Sequence, residues 1–302
     1  MSSGALPLLG APTASGKTEL ALRLAESVPL EVISADAMQV YRGMDVGTAK
    51  PSRRERRRVP HHLVDIVDPA EAFSVADFVR LAEEAIRGVL ARGRVPLVLG
   101  GTGFYLRGLS QGLPAVPPVD EVIQAGLWQQ FEERGLEPLE RELRTASPAD
   151  AERAQHNPRR VIRALEIVRR TGRAPSAFPR PKPAFTFDKL VLIPSMEALE
   201  PRIEARVEQI FAEGLIAEVR RLVERYPERL TATQAIGYKE VVAHLEGRIT
   251  LIEAKEAVAL ATRQYARRQR TWFRREPGAR RIEALALDAE AAVRAWLEGF
   301  AR

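Results

Sequence analysis

Along the first hundred residues the apolar positions follow two alternating rhythms. Short apolar runs at residues 5–9, 31–34, 62–66 and 96–99 read as strands buried on both faces, and amphipathic stretches separate them. The first helix is expected over residues 17–27, carried by Leu20, Ala21, Leu24 and Ala25. A longer one follows Ser74, which can cap it with Asp77 three residues on. Val75, Phe78, Val79, Ala82, Ile86 and Leu90 then fall on one face and carry that helix to Ala91. Buried strands joined by helices predict an α/β fold, a right-handed, doubly wound parallel sheet with ligands at the carboxyl ends of its strands.

The rhythm changes after residue 113. Residues 113–119 are Pro-rich, residues 119–172 read as helix throughout with strongly charged faces, and residues 174–183 are again Pro-rich and basic. An apolar run at 189–193 reads as a strand returning to the first sheet. The expected organisation is a first core segment over 1–115, an all-helical insertion domain over 116–188, and core completion with C-terminal helices over 189–302. No stretch reaches about 18 uninterrupted apolar residues, so no membrane span is expected. No basic segment precedes the first apolar run, which argues against a secretory signal. Cysteine is absent, which fits a reducing, cytoplasmic setting. Nothing in the sequence demands a partner subunit, and a monomer is expected.

Between the first apolar run and the first helix lies Ala11-Pro12-Thr13-Ala14-Ser15-Gly16-Lys17-Thr18. Strand, tight loop and helix are the context of a phosphate-binding P-loop. The loop amides and the helix N-terminus converge where negative charge is stabilised. Lys17 can reach outer phosphate oxygens, and the Thr18 hydroxyl can ligate Mg²⁺. Ala11 stands where the usual pattern has its first glycine; a positive φ there would be strained.

Two further segments share that sheet edge. Asp36 follows the second apolar run, where a carboxylate can ligate Mg²⁺ through water, accept a proton, or cap the residues after it. Gly100-Gly101-Thr102-Gly103 follows the fourth run and lets backbone approach a ligand closely. The net charge of +6 favours a polyanionic partner, and its distribution strengthens the case. Residues 53–58 are almost all arginine. Arg159, Arg163 and Arg170 fall near one helical face, and residues 262–275 interleave arginines with Tyr265, Trp272 and Phe273. His61 and His62 point to opposite faces of an extended segment, so packing or capping is expected of them rather than metal binding. These residues alone leave a nucleotide or small-metabolite kinase open, with Asp36 acting on a hydroxyl.

Read together, the motifs resemble the bacterial tRNA dimethylallyltransferase family. The resemblance is carried by residues 12–18, by Asp36 through Asp45, by Gly47-Thr48-Ala49-Lys50-Pro51, Pro60-His61-His62-Leu63 and Gly100-Gly101-Thr102-Gly103. It continues through Arg160-Val161-Ile162-Arg163-Ala164-Leu165-Glu166, Gln234-Ala235-Ile236-Gly237-Tyr238-Lys239 and the helix over 263–274, in order along nearly the whole chain. It implies transfer of a dimethylallyl group from dimethylallyl diphosphate to N6 of an adenosine beside the tRNA anticodon. It further implies that Thr13, Ala14, Ser15, Gly16, Lys17 and Thr18 hold the diphosphate, with Thr18 on Mg²⁺. Asp36 is the implied general base, Thr102 lines the reaction channel, and Arg220 binds diphosphate. Contacts to the anticodon stem-loop are implied for Asp36, Ala37, Met38 and Gln39, for Arg159, Arg160, Val161, Ile162 and Arg163, and for Gln234, Ala235, Ile236, Gly237, Tyr238 and Lys239.

Overall fold

The computed structural model describes residues 4–226 and 232–301. In chain order its elements are β1 (Leu6–Gly10), α1 (Lys17–Leu24), β2 (Leu30–Ala35), α2 (Arg53–Arg58), β3 (His61–His62), α3 (Val75–Ala91), β4 (Val95–Gly100) and α4 (Gly103–Gln111). The helices α5 (Glu121–Arg134), α6 (Glu137–Ala146), α7 (Pro148–Ala154) and α8 (Pro158–Thr171) follow. Then come β5 (Phe187–Leu192), α9 (Met196–Ala212), α10 (Leu215–Arg225), α11 (Tyr238–Leu245), α12 (Leu251–Arg274), β6 (Ala279–Ile282) and α13 (Glu290–Glu298). The chain divides into two compact units, one of Met1–Ser110 with Ala184–Arg302, the other of Gln111–Pro183.

The first unit holds a six-stranded sheet in the order β3-β2-β4-β1-β5-β6, parallel throughout. Alternation along the strands builds two cores. Leu9, Leu30, Leu97 and Leu99 face one side and pack with Leu20 and Leu24 of α1 and Val293 and Leu297 of α13. Leu8, Ile33, Val98 and Val191 face the other and meet Phe78, Ala82 and Ile86 of α3 and Phe273 of α12. A third core joins α9, α10, α11 and α12 with Val40, Tyr41 and Met44.

Register brings the chemistry together. Gly10 pairs with Gly100 and Ala35 with Gly100, so β1, β2 and β4 end at one level. A Cβ on Gly100 would stand 2.1 Å from the Ala35 carbonyl oxygen, which no side chain tolerates. The P-loop, Asp36 and Thr102 therefore emerge side by side.

Three elements differ from expectation. The strand expected over 62–66 is only His61–His62, because Leu63 and Asp65 adopt left-handed backbone (φ 63° and 59°) and leave the ladder. Helix α1 stops at Leu24 rather than Ser27. Strand β6 was invisible in the sequence: Arg280 and Arg281 are exposed at the sheet edge, so it lacks an apolar run. In the second unit, Leu127, Leu139, Leu143, Val161, Ile162 and Leu165 form the core of four helices.

Candidate active site at the carboxyl edge of the sheet

The P-loop is pinned from several directions. Gly16 caps α1 in left-handed backbone (φ 86°), and Ala14 is left-handed too (φ 60°). Ala11 does not have positive φ; the strain expected there falls on Ala14, while Ala11 is buried in the core. Arg202 Nε donates to the Ala14 carbonyl at 2.9 Å, and Ala286 N donates to the Ser15 carbonyl at 3.1 Å. Thr13 N donates to Gln269 Oε1 at 2.8 Å, so that amide is spent inside the protein rather than on a phosphate. Ser15 is fully buried and lines neither cavity, so its side chain is closed to a ligand.

A cavity of about 330 Å³ opens against this loop. Thr13, Lys17, Thr18, Asp36, Thr102 and Arg206 give it a polar side. Ile203, Val207, Ile210, Ile236 and Val258 give it an apolar one. Asp36 Oδ1 accepts from Met38 N at 2.9 Å and Gln39 N at 3.3 Å, so capping and access to the cavity coexist in one side chain. Thr102 Oγ1 accepts from Ala37 N at 3.1 Å and ties the second and fourth strand ends together. A second cavity of about 590 Å³ shares Lys17, Thr18, Ala49, Arg206 and Ile210 and adds Arg202.

The electrostatics favour an anionic ligand. Burial lowers the Lys17 ammonium from 10.5 to about 8, with Asp36 opposing and Arg206 adding to the fall. Burial also lowers Arg206, with Asp36 opposing. Tyr265 is pushed up to about 12, by burial first and then by Asp36. Two half-buried cations beside one carboxylate leave charge that a bound phosphate group would compensate.

Arg220 requires correction. It is exposed on α10 and lines neither cavity, because the inward face of that helix is Leu215, Glu218, Val219 and Leu222. Arg206 on α9 occupies the place expected of Arg220. The signal was present: Arg206 sits within the inward stripe Ile203, Val207 and Ile210, where an arginine is out of pattern. Gln269 was also missed, although it lies on the buried face of α12 with Ala266 and Phe273.

The candidate tRNA contacts sort unevenly. Ala37, Met38, Gln39, Gln234, Ala235 and Ile236 line the cavity. Tyr238 is fully buried and its hydroxyl donates to Glu218, so it packs the core even where its edge meets the cavity. Gly237 is buried at the start of α11, and Lys239 is exposed, 3.5 Å from Glu240. Val161 and Ile162 are buried in the core of the second unit and present no side chain to a ligand. Arg163 is engaged with Glu166 Oε1 and the Pro117 carbonyl, both at 2.5 Å, whereas Arg159 and Arg160 are exposed. On α12, Arg263 and Arg267 pair with Glu204 and Glu200 of α9, which neutralises part of the basic helix. His62 Nε2 lies 2.7 Å from Glu31, and His61 Nδ1 donates to the Val59 carbonyl.

Comparison with known proteins agrees along the chain. The family described as IPP transferase matches residues 39–276, and that described as isopentenyl transferase matches residues 5–62. The tRNA dimethylallyltransferase of Thermus thermophilus is 58% identical over 274 residues, 91% of each chain. That of Deinococcus radiodurans is 48% identical over 303 residues, 99% of this chain and 98% of its own. Among solved structures, the full-length tRNA isopentenylpyrophosphate transferase of Bacillus halodurans superposes with a TM-score of 0.72 at 37% identity, covering 99% of this chain and 97% of that one. A eukaryotic dimethylallyltransferase acting on tRNA gives a TM-score of 0.77 at 30% identity, covering 97% and 78%.

Proposed function

This chain belongs to the tRNA dimethylallyltransferase family, a family of tRNA-modifying prenyltransferases, and from that premise we propose how its cavity works. The prenyl donor is dimethylallyl diphosphate, and the acceptor is the exocyclic N6 of an adenosine beside the anticodon. N6 attacks the first prenyl carbon, the bond from that carbon to the diphosphate oxygen breaks, and diphosphate leaves with both electrons. The N6 proton passes to Asp36.

One observation carries this reading: Lys17, Arg206 and Asp36 stand on the walls of a cavity that also holds an aliphatic patch of Ile203, Val207, Ile210, Ile236 and Val258. A prenyl chain needs such an aliphatic patch for its hydrocarbon, next to cations that can take its diphosphate. Lys17 and Arg206 take up the charge developing on the leaving group, and the loop amides beyond Thr13 support them. Adenine N6 is a poor nucleophile, so a carboxylate fixed by two backbone amides helps by accepting its proton during attack. An anticodon-loop base reaches such a cavity only by leaving its stack.

Thr18, with Asp36 through water, would hold Mg²⁺ together with diphosphate oxygens, an ion that takes few protein ligands and keeps several waters. Among the described residues no cluster of three His, Cys, Asp or Glu could hold a metal, so most of the ion's ligands would come from the diphosphate and water. When bound, it supplies further neutralisation of the leaving group. No helix among the described residues is long and apolar enough to cross a membrane. A cytoplasmic site of action fits a tRNA substrate, and one chain supplies every residue invoked, so the reading needs no second subunit.

The test is nucleoside mass spectrometry of unmodified tRNA incubated with the protein, dimethylallyl diphosphate and Mg²⁺. A prenylated adenosine is expected. Transfer of label from ATP to an acceptor, with no prenylated nucleoside, overturns the proposal.

A further inference from the structure

Glu218 lies on α10 outside both cavities, yet the residue is only 3% exposed and its carboxylate forms no ion pair among the described residues. Its oxygens are occupied by one loop. Oε2 accepts from Asp45 N at 2.9 Å and Val46 N at 2.8 Å; Oε1 accepts from Gly47 N at 3.1 Å and from the Tyr238 hydroxyl at 2.6 Å. An isolated buried carboxylate is costly, and consecutive amides converging on it form the anion-binding concavity that offsets the cost. Tyr238, which donates to the same carboxylate, closes on the loop as well, since a Cβ on Gly47 would stand 2.5 Å from its ring.

What this loop does next gives Glu218 a role in the reaction. Gly47, Thr48 and Ala49 line the cavity. The Thr48 and Ala49 carbonyls accept from Gln39 Nε2 at 3.3 and 3.4 Å, and Gln39 N in turn donates to Asp36 Oδ1 at 3.3 Å. Hydrogen bonds thus run from Glu218 through the loop and Gln39 to Asp36. The P-loop is anchored separately, by Arg202, Gln269 and Ala286. We infer that Glu218 is a positioning residue: through the 45–49 loop and Gln39 it fixes the Asp36 carboxylate against the incoming amine, and it has no part in holding diphosphate. This rests on the reading of Asp36 as the base.

The experiment is steady-state prenyl transfer with Glu218→Gln. A carboxamide turns an N–H₂ toward backbone donors and releases the loop. The kcat is expected to fall about tenfold or more, with the KM for dimethylallyl diphosphate within about twofold of the unsubstituted enzyme, the signature of an interaction felt in the transition state. Gly47→Ala displaces the same loop by its clash with the Tyr238 ring while Glu218 stays intact, and the same split is expected; it decides the matter if Glu218→Gln does not fold. An unchanged kcat, or a KM for the diphosphate ester that rises in step with the loss of kcat, overturns the inference. Absence of prenyl transfer by the unsubstituted enzyme would instead refute the function proposed above.

Discussion

The side-chain oxygen of Gln269 accepts the backbone N–H of Thr13 at 2.8 Å across 256 residues of chain. The same amide donates through Nε2 to the Gly101 carbonyl at 2.8 Å. One side chain of α12 therefore joins the loops that leave β1 and β4. Gln269→Leu keeps the approximate volume and strands an inward-facing donor and acceptor. A loss of about 2–4 kcal/mol is expected from two such unpaired groups, read as a shift in the denaturation midpoint. A midpoint unchanged from the parent would mean water satisfies both groups.

Exchange of roles between two arginines is the sharpest check on the site. Arg206→Gln removes a half-buried cation from the cavity wall, and kcat/KM is expected to fall by about 10²–10³, the scale of losing one preorganised contact to developing charge. Arg220→Ala removes an exposed side chain and is expected to leave kcat/KM within about twofold. The opposite ranking in a steady-state assay would return the role to Arg220.

Lys17 sets a pH limit. Its pKa falls from 10.5 to about 8, through burial above all. In the proposed reaction the protonated form binds diphosphate, so the KM for dimethylallyl diphosphate is expected to rise as pH passes through about 8. Bound diphosphate stabilises the ammonium, so binding at that pH should take up a proton, visible as a dependence of calorimetric heat on buffer. For stability the sign is opposite: between about 8 and 10.5 the unfolded chain holds the proton that the folded chain has lost, so this residue makes the protein more stable as pH rises. Lys17→Met should abolish both effects.

The sheet edge was legible because its residues follow apolar runs directly. Asp36 and Thr102 needed only strand ends and the doubly wound rule to be placed beside Lys17. Arg206, Gln269 and Glu218 come from helices that close over that edge late in the chain, and no local pattern says which strand end a distant helix will cover. What the sequence does carry is a polar residue inside an apolar stripe, as at Arg206. The stretch at 159–163, expected from its motif to meet tRNA, shows the converse. A motif is contiguous, but helical periodicity sends Val161 and Ile162 inward and leaves Arg159 and Arg160 outside.

That division of labour in α8 predicts different phenotypes for two arginines four residues apart. Arg159 is exposed and meets no carboxylate among the described residues, so it is available to an RNA phosphate. Arg159→Ala should weaken tRNA binding and lower the slope of log K against log salt by roughly 0.7–0.9, the release of one counterion. Arg163 instead holds Glu166, which is fully buried and also accepts from Asp120 N at 2.8 Å and Gln124 Nε2 at 3.1 Å. Arg163→Ala leaves that carboxylate without its cation and should destabilise the helical unit by about 3 kcal/mol. Its salt slope should stay unchanged wherever the unit remains folded. Filter binding across about 50–200 mM salt, paired with thermal melts, separates the two. A slope that drops for Arg163→Ala and not for Arg159→Ala would place the phosphate contact on the side chain assigned here to packing.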